Sequence, residues 1–406
     1  MEMMTNTEKN PVFAGLEGKS PEVLFSSLPT PCYILDEGKL IENGKILKHL
    51  MERTGCKVLL AQKAFSNFNL YPSLAPYLAG TEASGLYEAR LGKEEMPDKE
   101  VHVFCGAYAE RDFEELLQYA DHIVFNSPTQ LKRFGKRAKA AGKSIGLRIN
   151  PECSTQEGHA IYDPCAKGSR LGTTRAIWDK KMTPELIRDL DGLHFHTLCE
   201  QDAEDLETTF AAVEEKFGEF LPYLKWINLG GGHHITRPGY QMDKLESCIQ
   251  YIKSKWNLDV YLEPGEAVAL NAGYFLTKIL DVVENNGISI AILDGSAACH
   301  MPDVIEMPYL PPLYHGMEAG TGPCTFRLAG PTCLAGDVIG DYSFISPLQE
   351  DGLLLFGDMA IYTTCKNNTF NGMPLPDIWT WKADHTLERT AHFSYADFKM
   401  RLGTMD

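Results

Sequence analysis

Between residues 58 and 263, eight short runs of strand-forming residues alternate with stretches of helical character. No other feature of the chain limits its possible folds as much. The runs are Val58–Lys63, Gly80–Ser84, Val101–Cys105, His122–Asn126, Ser144–Asn150, Gly192–Thr197, Trp226–Gly230 and Val260–Glu263. Helical periodicity marks the segments between them, as in Phe113–Tyr119 and Thr129–Ala141. Strands that alternate with helices pair in parallel. Eight such units predict a closed (β/α)8 barrel rather than an open sheet.

After about Ala272 the texture changes. Helical periodicity nearly vanishes, and Gly and Pro recur among short β-rich runs at Ile288–Leu293, Leu353–Phe356 and Ala391–Ser394. This predicts a second, all-β domain. The early run Cys32–Leu35 is expected to pair with it. The fold class is therefore α/β, a (β/α)8 barrel plus a C-terminal all-β domain. Residues 1–40 are the N-terminal arm and the strand joining the β domain, 41–271 the barrel, and 272–406 the β domain. Met1 to Lys19 is polar and is expected to be a frayed arm.

A chain of 406 residues exceeds one ordinary core, and 44% hydrophobic with 23% charged residues is a soluble globular composition. No apolar run spans a bilayer, and the N-terminus lacks the apolar core of a signal peptide. Eleven scattered cysteines without a CxxC pair argue for reduced thiols in a cytoplasm. The net charge of −17 disfavours nucleic acid and anionic membranes as partners. It suits a cationic substrate, and equally the general acidity of soluble enzymes.

In a barrel of this kind the active site lies at the C-terminal strand ends, where the distinctive polar residues fall. Lys63 ends the first run. A lysine there is expected to be desolvated, which frees its amine to attack a carbonyl; the plainer reading is a strand-end ion pair. His194 and His196 end the sixth run, on one face by strand alternation. Either ring could lie against a flat cofactor or simply be a satisfied core histidine. Gly230, Gly231 and Gly232 follow the seventh run, where barrels commonly bind phosphate. Glu263 closes the eighth, before Pro264, Gly265 and Glu266. A carboxylate facing a pyridine nitrogen would keep it protonated. Together these motifs point to a Schiff base between Lys63 and pyridoxal phosphate (PLP). A rival reading gathers His194, His196, His233 and His234 into a hydrolase metal site, which leaves Lys63 and the glycine loop without roles. In the second domain, Gly330–Asp337 is a dense turn motif bearing Cys333, a candidate proton donor, and Tyr362 is a candidate phosphate ligand.

These motifs resemble the PLP-dependent decarboxylases of fold type III, with an alanine-racemase-like barrel, and most of all their carboxynorspermidine/carboxyspermidine branch. The resemblance is carried by Leu60–Phe65, Ser169–Gly172, His194–Gln201, Leu229–His234, Glu263–Glu266, Asp294–Ser296 and Gly330–Asp337. It implies PLP on Lys63, with His196 stacked on the ring and Glu263 at the pyridine nitrogen. Gly230, Gly231, Gly232 and Tyr362 would hold the phosphate. Cys333 would be the proton donor, reaching the site from the partner subunit of a homodimer. The implied reaction is decarboxylation of carboxyspermidine or carboxynorspermidine to spermidine or norspermidine, with no metal.

Two departures from the wider family bear on substrate. Most relatives carry an arginine two residues after Pro264, where this chain has Glu266, and most follow the cysteine with an acid, where it has Leu334. A carboxylate pairs with an ammonium rather than a phosphate. This weakens the ornithine and diaminopimelate readings and favours a substrate with several positive charges. Glu266, Asp303, Glu306 and Asp337 are the candidate substrate contacts, with Asp303 preferred over Glu306. Other readings are a diaminopimelate or ornithine type of decarboxylase, an amino-acid racemase, and a PLP- or polyamine-binding protein without turnover.

Overall fold

The structure, a computed structural model, describes residues 10–156 and 163–404. The chain divides into two compact units, residues 41–268 and residues 1–40 with 269–406.

The strand β1 (Cys32–Asp36) belongs to the second unit. The first unit is a closed parallel barrel of β2 (Lys57–Ala61), β3 (Gly80–Ala83), β4 (Glu100–Phe104), β5 (His122–Phe125), β6 (Ser144–Arg148), β7 (Gly192–His194), β8 (Trp226–Asn228) and β9 (Asp259–Leu262). β2 closes the ring on β9 through the pairs Lys57 with Tyr261 and Val58 with Leu262. The strands are buried along most of their length, as expected when helices cover the outside and side chains fill the inside. Leu59, Val124, Trp226 and Tyr261 pack inside the barrel. Gly192 makes room for this layer, since a Cβ there would sit 2.0 Å from the Trp226 ring.

The covering helices are amphipathic. Helix Glu110–Tyr119 buries Phe113, Leu116 and Leu117. Helix Pro128–Ala140 starts with proline behind Ser127, whose side chain accepts the Gln130 N–H. Both features are favourable N-terminal signals.

The second unit is a nine-stranded sheet, made of β1 with β10 (Gly273–Asn285), β11 (Ile288–Leu293), β12 (Met317–Glu318), β13 (Cys324–Ala329), β14 (Val338–Phe344), β15 (Leu353–Gly357), β16 (Asp377–Trp381) and β17 (Leu387–Ala391). β1 lies antiparallel to β10 and parallel to β16. A register shift near Ile279 divides β10: its first half pairs with β1 and β15, its second half with β11.

Three expectations need correction here. Residues 1–9 of the expected frayed arm lie outside the described residues. From Pro11 onward that segment forms a 3-10 helix, which buries Phe13 and Leu16 in the core of the β unit with Phe25 and Trp381. The expected strand Ala391–Ser394 is displaced: β17 ends at Ala391, and Ser394 caps helix Tyr395–Met400. Finally, the β unit contains short helices, Ala297–His300 and Asp303–Glu306 among them.

Candidate active site

Ion pairs and histidines crowd the C-terminal ends of the barrel strands. Lys63 lies two residues beyond β2, in a turn pinned by Gln62. The Gln62 side chain donates to the Glu88 carbonyl at 2.9 Å and accepts from the Tyr71 hydroxyl at 3.1 Å. Lys63 Nζ donates to Glu82 Oε2 at 3.1 Å. Glu82 is a β3 residue, and its side chain is 2% exposed. Burial holds its carboxyl above the ordinary range; the Lys63 charge pulls it down, and Glu263 pushes it up.

Glu263 follows β9 and is buried. Its Oε2 lies 3.0 Å from His194 Nε2. Asn228 at the end of β8 donates to its Oε1 at 2.5 Å and accepts the Gly230 N–H at 2.9 Å. Burial opposes the charge on Glu263, but His194 and Lys63 outweigh it and hold the carboxyl below its usual range. Burial also keeps His194 and His196 below their ordinary values, with the Arg148 and Lys63 charges adding to the effect. Glu263 opposes the effect at His194, whereas His196 lies well below its ordinary value and is neutral. His196 Nδ1 accepts the Gly231 N–H at 3.2 Å, which leaves the proton on Nε2. Arg148 at the end of β6 is buried over the Phe104 ring at 4.5 Å and donates to the His196 carbonyl at 3.4 Å. Burial pulls it down to about 10, so it stays charged at neutral pH.

The glycine loop closes this end of the barrel. Gly230 and Gly232 have φ of +72° and +81°, a region that favours glycine. A Cβ on Gly230 would sit 2.5 Å from the Phe195 carbonyl oxygen, and one on Gly231 2.5 Å from that of Glu263. Glu266 opens the short helix Glu266–Ala269.

The β unit holds the other sequence candidates. Cys333 is exposed, and its N–H donates to Asn371 Oδ1 at 2.7 Å. Tyr362 is half-buried with φ of +54°, an uncommon conformation for a bulky residue. Asp303 and Glu306 both grip the Lys366 ammonium. Asp337 is 2% exposed. Its carboxylate accepts from Ser296 Oγ at 2.8 Å, Thr332 Oγ1 at 2.7 Å and the Ala298 N–H at 3.1 Å.

Residues 32–360 match the family described as pyridoxal-dependent decarboxylase, C-terminal sheet domain. This chain belongs to that family. A carboxyaminopropylagmatine decarboxylase of Synechocystis is 41% identical over 93% of this chain and 97% of its own. A carboxynorspermidine/carboxyspermidine decarboxylase of Campylobacter jejuni is 39% identical over 93% of this chain and 100% of its own. Among solved structures, carboxynorspermidine decarboxylase from Campylobacter jejuni, complexed with norspermidine, superposes with a TM-score of 0.85 at 38% identity. That match covers 92% of this chain and 100% of the other.

The cofactor of this decarboxylase is PLP, and the barrel residues fit it. Lys63 supplies an amine for the aldehyde, and Glu263 an ionised carboxylate with lone pairs left for a protonated ring nitrogen. The neutral ring of His196 suits stacking, and the loop at Gly230–Gly232 has no side chains to fill the space. In two respects the expected arrangement differs. Lys63 is not desolvated: its side chain is 36% exposed, and its partner is Glu82. The N–H groups of Gly230 and Gly231 are already engaged by Asn228 and His196, so these two residues provide room rather than free donors.

Asp337 also departs from expectation. Its carboxylate ties the Ser296 turn to the Thr332 loop, which takes it out of the set of substrate contacts. The metal reading fails as well. Among the described residues His194, His196, His233 and His234 do not converge; His233 Nε2 meets the Leu229 carbonyl at 3.3 Å. Ligating atoms converge instead at Glu100, His102 and His122, toward the opposite ends of the strands. There the two imidazoles stack at 3.9 Å and 11°, so their in-plane lone pairs lie in separate, nearly parallel planes, a poor arrangement for meeting at one ion. Lys57 already neutralises Glu100.

Sequence reasoning missed Glu82, Arg148 and Asn228. Each is a polar residue near the C-terminal end of a barrel strand, the same signal that singled out Lys63.

Proposed function

We propose that this chain removes the α-carboxylate of carboxyspermidine or carboxynorspermidine, giving spermidine or norspermidine in polyamine biosynthesis, as a cytoplasmic homodimer. The observation that carries the reading is the full-length likeness to the norspermidine-bound structure, with a barrel site that fits the cofactor. When bound, PLP supplies the electron sink for the carbanion left by loss of CO2. Lys63 would hold the cofactor covalently through its side-chain amine. Glu263 keeps a proton on the ring nitrogen, His196 is the stacking ring, and Tyr362 with the Gly230–Gly232 loop receives the phosphate. Cys333 of a second copy gives a proton to the substrate α-carbon. Glu266, Asp303 and Glu306 receive the substrate ammonium groups.

A second reading rests on the Synechocystis relative, which supports carboxyaminopropylagmatine as substrate. The two substrate types differ at the distal end, ammonium against guanidinium. The deciding experiment gives the PLP-loaded protein carboxyspermidine, carboxynorspermidine, carboxyaminopropylagmatine, diaminopimelate and ornithine, and follows CO2 and amine. Turnover greatest with either carboxypolyamine bearing a terminal ammonium is the expected result. Preference for the guanidinium substrate selects the second reading, and turnover of diaminopimelate or ornithine alone rejects both.

A further inference from the structure

Glu82 is a buried carboxylate to which the reaction as described gives no task. Lys63 is the one hydrogen-bond donor to it among the described residues, at 3.1 Å. The other ionisable groups that act on it or feel it are Glu88 from the adjoining helix, Glu263 beyond β9, Arg148 of β6 and Tyr108. Two of these are carboxylates. If Lys63 lost its charge and Glu82 kept its own, a carboxylate with a 2% exposed side chain would face Glu263 without its counter-ion. Such an arrangement is strongly unfavourable.

We infer that Glu82 is the proton partner of Lys63: it takes the proton the ammonium must lose before its amine joins the cofactor carbonyl, and returns it when the lysine is released. The inference rests on the reading of Lys63 as the attachment residue. The step balances. One N–H bond of the ammonium breaks and an O–H bond forms on Glu82, with no proton lost to solvent. The freed nitrogen lone pair then attacks the carbonyl carbon, and the carbonyl oxygen leaves as water. Because burial already holds the carboxyl of Glu82 above the ordinary range, it is a better proton acceptor than an ordinary carboxylate.

The test follows PLP added to the apo-protein, by visible absorbance and by infrared difference spectroscopy. The wild-type protein should gain a protonated-carboxyl C=O stretch as the visible band grows, and Glu82→Gln should lack that stretch. Glu82→Gln should also attach PLP with a rate that rises about tenfold per pH unit more steeply than wild type near neutrality, because its lysine must give the proton to solvent. Glu82→Asp, which keeps a carboxylate, should restore the shallower profile. Absence of the stretch in the wild-type protein would overturn the inference, whether or not the variants fold. So would identical pH profiles for wild type and Glu82→Gln. A visible band that persists in Lys63→Ala would instead remove the attachment reading itself.

Discussion

Asn228 Nδ2 lies 2.5 Å from Glu263 Oε1, and the Oδ1 of the same side chain accepts the Gly230 N–H at 2.9 Å. One amide therefore orients both the Glu263 carboxylate and the first residue of the glycine loop. Two strand ends, β8 and β9, are held together at the site by this side chain.

Asn228→Ala should consequently disturb two functions at once. It leaves a buried N–H without its acceptor and a buried carboxylate with one donor fewer, at about 2 kcal/mol or more in all. The expected outcome is a lower unfolding midpoint and faster loss of PLP on dialysis. A variant that melts like wild type and retains PLP equally well would show that the amide is dispensable.

The far end of the barrel predicts an acid sensitivity. Burial, with His102 beside it, pushes His122 down to about 3 from an ordinary 6.5. Below about pH 6.5 the unfolded chain takes up a proton that the folded chain refuses, so this residue lowers stability as pH falls from about 6.5 to about 3. His122→Phe keeps a flat ring against His102 and removes that proton. Unfolding midpoints measured across this range should fall less steeply for the variant than for the wild-type protein.

Cys333 and its exposed neighbour Leu334 lead to a test of the dimer. Lys63→Ala and Cys333→Ala should each lose most turnover alone. If one copy supplies Lys63 and the other Cys333, a heterodimer of the two variants keeps one intact site. Random mixing then restores roughly a quarter of wild-type activity. A mixture as inactive as its components would place both residues' functions within one chain.

Much of this organisation was legible in the sequence, because alternation of strands and helices is a local signal. The first expected strand, Val58–Lys63, overlaps β2 but runs past it, since the turn that presents Lys63 begins at Gln62. β17 was misplaced because Leu387–Ala391 is half polar and only partly buried, without the apolar run that marks an inner strand. Lys63 and Glu263 stood out beside their motifs. Glu82 and Asn228 did not, because each has its partner just beyond the end of another strand. A lone polar residue in a short run is indistinguishable from a solvent-facing one until the barrel closes. Asp337 looked like a substrate contact for the converse reason: nothing nearby in sequence reveals that Ser296 and Ala298, some forty residues earlier, satisfy its carboxylate.

Lys366 bears on how the protein reads charge. Burial works against its ammonium, but hydrogen bonds to Asp303 and Glu306 outweigh this and hold its pKa above the ordinary value. Lys366 thus occupies the two carboxylates proposed to receive a substrate ammonium. The lysine side chain is itself a four-carbon arm ending in an ammonium, the same group as the aminobutyl arm of spermidine. It should therefore compete with a substrate amine for the two carboxylates. Lys366→Met removes the competitor, and KM for carboxyspermidine should fall by about two- to fivefold, the range of a partly exposed ion pair. Asp303→Asn should move KM in the opposite direction, because it removes the less exposed of the two acceptors. A rise in KM for Lys366→Met would mean that the lysine positions the carboxylates for substrate rather than competing with it.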